Sequence, residues 1–291
     1  MPKSNPVILI TGATGNIGKE LIKILSAQQI PFRTMVRSIR GLEALTASES
    51  TEVVIGDFND AKTVADALKD VDRAFLLTPS SEDAETQQSM FVDVANRCGV
   101  KQIVKLSQWA ADADSPLRFL RYHAVVEQKI RDSGIAYTFL RPNLFMQSLL
   151  AFRETIATQG KFFAAAGDAK ISAVDVLDIA AVAAAALTWE GHEGKIYNLT
   201  GPEALTHQEM AEKLSNTLNR QIQFVDVPPE AMQEALINAG LPLWQADGLI
   251  EDYAHYRRGE ASAAMTGVQD ATGNPPHSFE DFACDYVPAF S

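Results

Sequence analysis

The residues best suited to chemistry stand near the start of the chain. Gly12-Ala13-Thr14-Gly15-Asn16-Ile17-Gly18 is a G-x-x-G-x-x-G loop, set between the apolar run VILI and the amphipathic stretch ELIKIL. A strand, a glycine turn and a helix in that order make a cradle for a pyrophosphate. Gly12 allows the tight turn, Gly15 lets phosphates come close, and Gly18 lets helix pack on strand. Thr14, Asn16 and Ile17 fill the loop, where a helix start offers unpaired N–H groups and the positive end of its dipole. The loop carries one residue more than G-x-G-x-x-G, so its setting in a strand–helix chain is what gives it weight.

Three later tips of apolar runs point to the same ligand. The second run ends TMVRSIR, with Arg37 at its tip, Arg40 a turn later and no acid before Glu43. An acid there would accept from a ribose 2′-hydroxyl and select NAD, whereas a guanidinium suits a 2′-phosphate. The cofactor expected is therefore NADP(H); the alternative for these arginines is a solvated helix start. The third run closes with GDFND, where Asp57 can accept from the adenine amino group and Phe58 can pack near the ring. LLTPS closes the fourth and sets Leu77 and Thr78 beside the cofactor.

The elements that must position these residues alternate regularly. VILI, FRTMVR, EVVIGD, RAFLLTP, QIVKLS and AYTFLRP read as strands. Helical patterns follow them near 16–27, 41–47, 61–68, 84–98, 117–133 and 144–158. Such alternation predicts an α/β fold, a Rossmann-like doubly wound parallel sheet with a smaller C-terminal substrate lobe. We place the dinucleotide-binding domain at 1–150 and the lobe at 151–291, with a strand–helix return to the main sheet at about 171–200. In that later part KISAVD, KIYNLTGP and QIQFVDVPP read as strands, and Asp175 or Asp178 can cap the Ala-rich helix that follows the first of them. THQE (206–209) and SFED (278–281) have the form of helix N-termini.

Composition narrows the partners. The 291 residues are 46% hydrophobic and 21% charged, which describes a chain with a full core. A net charge of −12 repels polyanions, so neither nucleic acid nor an anionic membrane is an expected partner. The longest uncharged apolar run, IAAVAAAALTW, is too short to span a bilayer, and no secretory signal is read at the start. A cytoplasmic location is expected. Cys98 and Cys284 have no metal-type spacing, and each follows an apolar helical pattern, which predicts buried, inert thiols.

TGATGNIG, the arginine after the second strand, GDF after the third, VVEQKIRDSGIAYTFLRPNLFMQ and the ending SFEDFACDYVPAF resemble the NmrA-like branch of the atypical short-chain dehydrogenase/reductases. The resemblance covers nearly the whole chain. It implies an NADPH-dependent oxidoreductase that passes hydride to a conjugated small-molecule acceptor such as a quinone, an azo dye or a triphenylmethane dye. The same family holds catalytically silent NADP(H) sensors, which would act through a protein partner; a homodimer is compatible with either. Typical short-chain dehydrogenases carry Y-x-x-x-K, and no tyrosine here has a lysine four residues on. The family frame puts Phe119 in the tyrosine place, His123 in the lysine place and Ser107 near the usual serine. His123 and Ser107 are thus the catalytic candidates, with Tyr122 a weaker donor. The alternative for His123 is a helix-surface residue facing Glu127. The resemblance also sets Asn143 beside the nicotinamide; its alternative is to cap the next helix. A phenyl ring cannot donate a proton, so ordinary ketone reduction loses its acid, while a conjugated acceptor can take hydride without one.

Overall fold

Ile8, Leu9 and Ile10 are wholly buried, all five residues of QIVKL are buried too, and neither run shows an in–out alternation. Strands covered on both faces have that pattern. In the computed structural model, which describes residues 7–38 and 51–291, these runs lie in a seven-stranded sheet. Its strands are β1 (Ile8–Ile10), β2 (Phe32–Val36), β3 (Thr51–Ile55), β4 (Arg73–Leu76), β5 (Gln102–Leu106), β6 (Ala136–Pro142) and β8 (Lys195–Leu199). The order is β3-β2-β1-β4-β5-β6-β8, and the first six run parallel. This is the doubly wound order expected from the alternation.

Helices α1 (Asn16–Ala27), α2 (Ala61–Ala67), α3 (Ala84–Cys98) and α4 (Arg118–Ser133) connect the parallel strands. Local chemistry sets their ends. Asp60 caps α2 by accepting from the Lys62 amide, and Gly99 ends α3 in the left-handed conformation that a side chain would resist. The helix expected at 41–47 lies outside the described residues.

The chain divides into two compact units. The first takes the described residues up to Ser115, then Phe119–Arg141 and Ile179–Tyr197. Leu9, Leu76, Phe91, Ile103, Val126 and Phe139 are at its core. The second takes Pro116–Arg118, Pro142–Asp178 and Asn198–Ser291, with Phe162, Leu214, Phe279, Phe282 and Phe290 at its core. THQE and SFED both form reciprocal capping boxes, and Asp175 accepts from the Leu177 amide at the start of the Ala-rich helix Val176–Thr188.

Several expectations, most of them for the second unit, are corrected. The stretch 144–158 is not one helix: a 3₁₀ segment (Met146–Phe152) precedes an α-helix (Arg153–Gln159). At the start of the stretch the Leu144 N–H bonds the Asn143 side chain and the Met146 N–H bonds the Val174 carbonyl. KISAVD makes isolated bridges only, at Ile171 and Val174. The strand β7 (Lys161–Ala164) had no periodic signal, yet it pairs in parallel with β9 (Gln223–Asp226). The expectation of buried cysteines is corrected as well: Cys98, the last residue of α3, packs half-buried against the first core, and Cys284, in the last turn of its helix, is exposed. Among the described residues no helix is long and apolar enough to cross a membrane.

Candidate functional site

The order of the sheet sets strand tips side by side. Along its carboxyl edge come Asp57 after β3, Arg37 after β2, Gly12 after β1, Leu77 after β4 and Ser107 after β5. Two devices hold the central tips together. The Thr11 hydroxyl, fully buried, bridges the carbonyls of Phe75 and Leu77 at 2.9 and 3.0 Å and accepts from the Leu77 amide at 2.8 Å. Gly12, at φ 65°, brings its backbone against Leu77, whose Cγ would stand 2.7 Å from any Cβ placed there.

The turn that follows is open toward solvent. A Cβ on Gly18 would run into the Gly12 carbonyl and stand 2.7 Å from Ala13 Cα, so this glycine serves close packing. A Cβ on Gly15 would meet only the Gly12 carbonyl, at 3.3 Å. Thr14, Gly15 and Asn16 are exposed, and Ile17 anchors the turn with 4% exposure. The first intrahelical bond of α1 runs from Lys19 N–H to Gly15, so the preceding amides have no carbonyl to meet within the helix. No side chain caps this end and no acid lies in its first turn. A pyrophosphate fits such a place: it finds donors, a positive dipole end and no competing carboxylate.

The flanking tips have separate settings. Arg37 is exposed, and its guanidinium makes no hydrogen bond among the described residues; Arg40 and Glu43 lie outside them. Asp57 is exposed, with Oδ1 accepting from Asn59 N–H and Oδ2 left without a partner among the described residues. Phe58 packs on Phe91, their ring centroids 5.6 Å apart, within the core of the first unit. Thr78 is buried and accepts from the Gln88 side chain at 2.7 Å.

Ser107 and His123 belong to a buried polar array between β5, β6 and α4. The Ser107 hydroxyl donates to Glu127 Oε1 at 2.6 Å, so its hydrogen is committed and its lone pairs remain. Glu127, fully buried, is held by a two-pronged contact from Arg141 at 2.9 and 2.6 Å and by Arg131 at 3.2 Å. His123 is not a surface residue facing Glu127. It is 7% exposed, and its Nδ1 stands 2.7 Å from Nζ of Lys105, which is wholly buried and also donates to the Leu106 carbonyl at 3.0 Å. Tyr122 lies against the imidazole, centroids 4.1 Å apart, with its hydroxyl 2.9 Å from that of Ser80. Phe119 is a buried phenyl edge-on to Tyr122. Burial lowers the Lys105 ammonium to about 7, against the partial support of Glu127. Burial, then the charges of Lys105 and Arg141, hold His123 well below its usual value, so it stays neutral.

Asn143 falls in the second unit. Its Nδ2 donates to the Ser172 hydroxyl and the Ala261 carbonyl, and its Oδ1 accepts from the Leu144 amide. The capping alternative is not met: Phe145 is the cap residue of the following 3₁₀ segment, no side chain caps it, and the amide that Asn143 bonds lies before the cap. Sequence reading missed Thr11, Lys105 and Arg141, and it set Glu127 on a helix surface where the structure buries it. For Lys105 a signal existed: it is the one charge inside the otherwise uncharged run QIVKLS.

A doubly wound parallel sheet with an open glycine turn at its carboxyl edge defines the class, a Rossmann-like dinucleotide-binding protein. Within it the chain belongs to the NmrA-like family, whose model matches residues 4–280. The chain is 34% identical over 284 residues to the NAD(P)H azoreductase of Xenophilus azovorans, covering 98% of this chain and 99% of that one. It superposes on the NADPH-dependent quinone oxidoreductase of Escherichia coli complexed with NADPH, with a TM-score of 0.84 at 30% identity over 96% of this chain and 99% of that one. Triphenylmethane reductase of Citrobacter sp. complexed with NADP(H) gives 0.84 at 28% identity, over 97% and 99%.

Proposed function

We propose that this protein is an NADPH-dependent oxidoreductase that passes hydride to a conjugated small-molecule acceptor, with a quinone the first choice. The observation that carries the reading is the uncapped, acid-free start of α1 at an open glycine turn, with the exposed Arg37 at the neighbouring tip. In this reading the loop from Gly12 to Gly18 holds the pyrophosphate and Arg37 pairs with the 2′-phosphate. Asp57 offers its free Oδ2 to the adenine amino group, and Leu77 and Thr78 border the cofactor. Bound NADPH supplies a hydride from its nicotinamide ring. His123 and Ser107 serve that end of the site, His123 as a neutral imidazole and Ser107 as an acceptor whose hydrogen already belongs to Glu127. Asn143 is assigned to the same end, through the family frame.

Acceptor choice follows from Phe119, which puts a phenyl where a proton donor would otherwise stand. Positioning a planar conjugated acceptor then does most of the work. The names of the relatives support this: an azo compound, a quinone and a triphenylmethane dye all take hydride at a conjugated centre. The test is NADPH oxidation followed with one acceptor of each kind. A rate that saturates with acceptor is expected for at least one. Tight NADPH binding with no turnover on any would replace the enzyme by a sensor that signals through a protein partner.

A further inference from the structure

A lysine wholly buried in a central strand is expensive, and among the described residues Lys105 has no carboxylate in contact to offset it. Its partners are a carbonyl and one imidazole nitrogen. With Lys105 donating to Nδ1, the His123 hydrogen must sit on Nε2, and that nitrogen has no partner among the described residues. We propose that Lys105 is the proton reserve behind His123, a positioning residue that fixes the imidazole as an outward N–H donor and refills it from behind. The proposal rests on the reductase reading above.

The proton count makes the role specific. A quinone that has received hydride has gained two electrons and one hydrogen, and is left as an oxyanion needing one proton. The Nε2–H bond of His123 breaks as the oxyanion takes that proton. An N–H bond forms at Nδ1 as Lys105 gives up one of its own, and Lys105 is left a neutral amine. Solvent restores the charge before the next cycle. No negative charge on histidine is required, because both transfers go together. The groups facing the pair leave the direction intact: Glu127 favours the charged lysine, while Arg141 opposes it more weakly and also opposes a positive charge on His123. The Tyr122 hydroxyl is turned to Ser80 and stays out of the relay.

A cationic triphenylmethane dye supplies the control, since hydride alone converts it to a neutral product and no proton is called for. In the intact protein, quinone turnover should fall as pH rises through about 7, the region where Lys105 loses its proton, while dye turnover stays flat. Lys105→Met should lower quinone turnover by roughly 100-fold, abolish that pH step and leave the dye rate within about twofold. Nitrogen-15 spectra of the cofactor-free protein should show His123 protonated on Nε2 alone, and Lys105→Met should let the tautomers mix. Equal losses on both acceptors would make Lys105 merely structural and overturn the proposal. So would an unchanged quinone rate, or a wild-type imidazole protonated at Nδ1. If Lys105→Met fails to fold, the pH profiles and spectra of the intact protein still decide. Absence of turnover with every acceptor would instead bring down the reductase reading, and the relay with it.

Discussion

Nζ of Lys105 stands 2.7 Å from Nδ1 of His123, at a place where neither side chain meets much solvent. Two groups that are each cationic when charged do not both carry a charge at that separation. Burial weakens both, but it drives His123 well below its ordinary value while Lys105 remains at about 7. The proton of the pair therefore sits on the lysine.

That arrangement has a cost to folding with a definite pH dependence. Unfolded, Lys105 titrates at its ordinary value of 10.5, and folded it titrates at about 7. Between those values the unfolded chain binds more protons, so this residue makes stability rise with pH across the window. Lys105→Met removes the penalty and should stabilise the protein at neutral pH by on the order of a few kcal/mol. The advantage should shrink as pH approaches the upper limit. Denaturant unfolding of both proteins at several pH values reads it directly. A gap that stays constant would show that the lysine's charge is not what folding works against.

Glu127 makes the opposite contribution. Its carboxylate joins Ser107, Arg131 and Arg141 in one buried contact. Glu127→Gln keeps the shape and an acceptor for Ser107, but leaves two guanidinium groups without their counter-charge. We expect a loss on the order of 3 kcal/mol, moderated because both arginines reach partly into solvent. Since Glu127 also favours the charged form of Lys105, the same variant should push the lysine's titration lower still. Urea unfolding at neutral pH checks the first effect, and a stability change under about 1 kcal/mol would mean the ion pairs do little.

The contrast between Gly12 and Lys105 shows what sequence can and cannot tell. A glycine turn between a strand and a helix is a local statement, and the contacts of Gly12, Gly15 and Gly18 lie within the loop or one strand away. The order of the tips followed from strand–helix alternation, because right-handed crossovers leave few ways to wind it. Lys105, by contrast, has a meaning only when α4 is laid on β5. Spacing within α4 put His123 and Glu127 on one face and suggested solvent; the fold turns that face inward, one residue to Lys105 and the other to Arg141, 14 positions on. The second unit was harder for the same reason. Phe162 and Ala164 are buried in β7, but a strand of four residues gives too short a pattern to see.

Gly15 and Gly18 should separate binding from folding. Gly15 has φ −78°, which any residue adopts, and a Cβ there meets only the Gly12 carbonyl, at 3.3 Å, a contact relieved by a shift of a few tenths of an ångström. Gly15→Val should therefore leave the fold nearly as stable while abolishing NADPH binding, because the branched side chain occupies the approach of the phosphates. At Gly18 a Cβ meets backbone at Gly12 and Ala13, which cannot yield without moving the turn. Gly18→Ala should cost about 1–3 kcal/mol of stability. Calorimetric NADPH titration and thermal unfolding of both variants make the comparison. Normal NADPH binding by Gly15→Val would remove the loop from the site and the reductase reading with it.

Cofactor choice is the last expectation, and it rests on Arg37. The guanidinium stands exposed at the tip of β2, next to the tip that carries Gly12, and forms no hydrogen bond with any described residue. A ligand meeting it therefore displaces no partner among the described residues. A 2′-phosphate meeting it gains a charge-assisted contact worth about 1–3 kcal/mol, and NADPH should bind tighter than NADH by that margin. Arg37→Glu replaces attraction by repulsion for the phosphate and offers the unphosphorylated ribose a carboxylate to accept its hydroxyl. The preference should then vanish or reverse, with NADH affinity held or improved. Because the contact is exposed, added salt should narrow the wild-type gap and leave the variant's NADH affinity almost unchanged. Calorimetry with both cofactors at low and high salt supplies all four numbers, and equal affinities in the wild-type protein would remove Arg37 from the site.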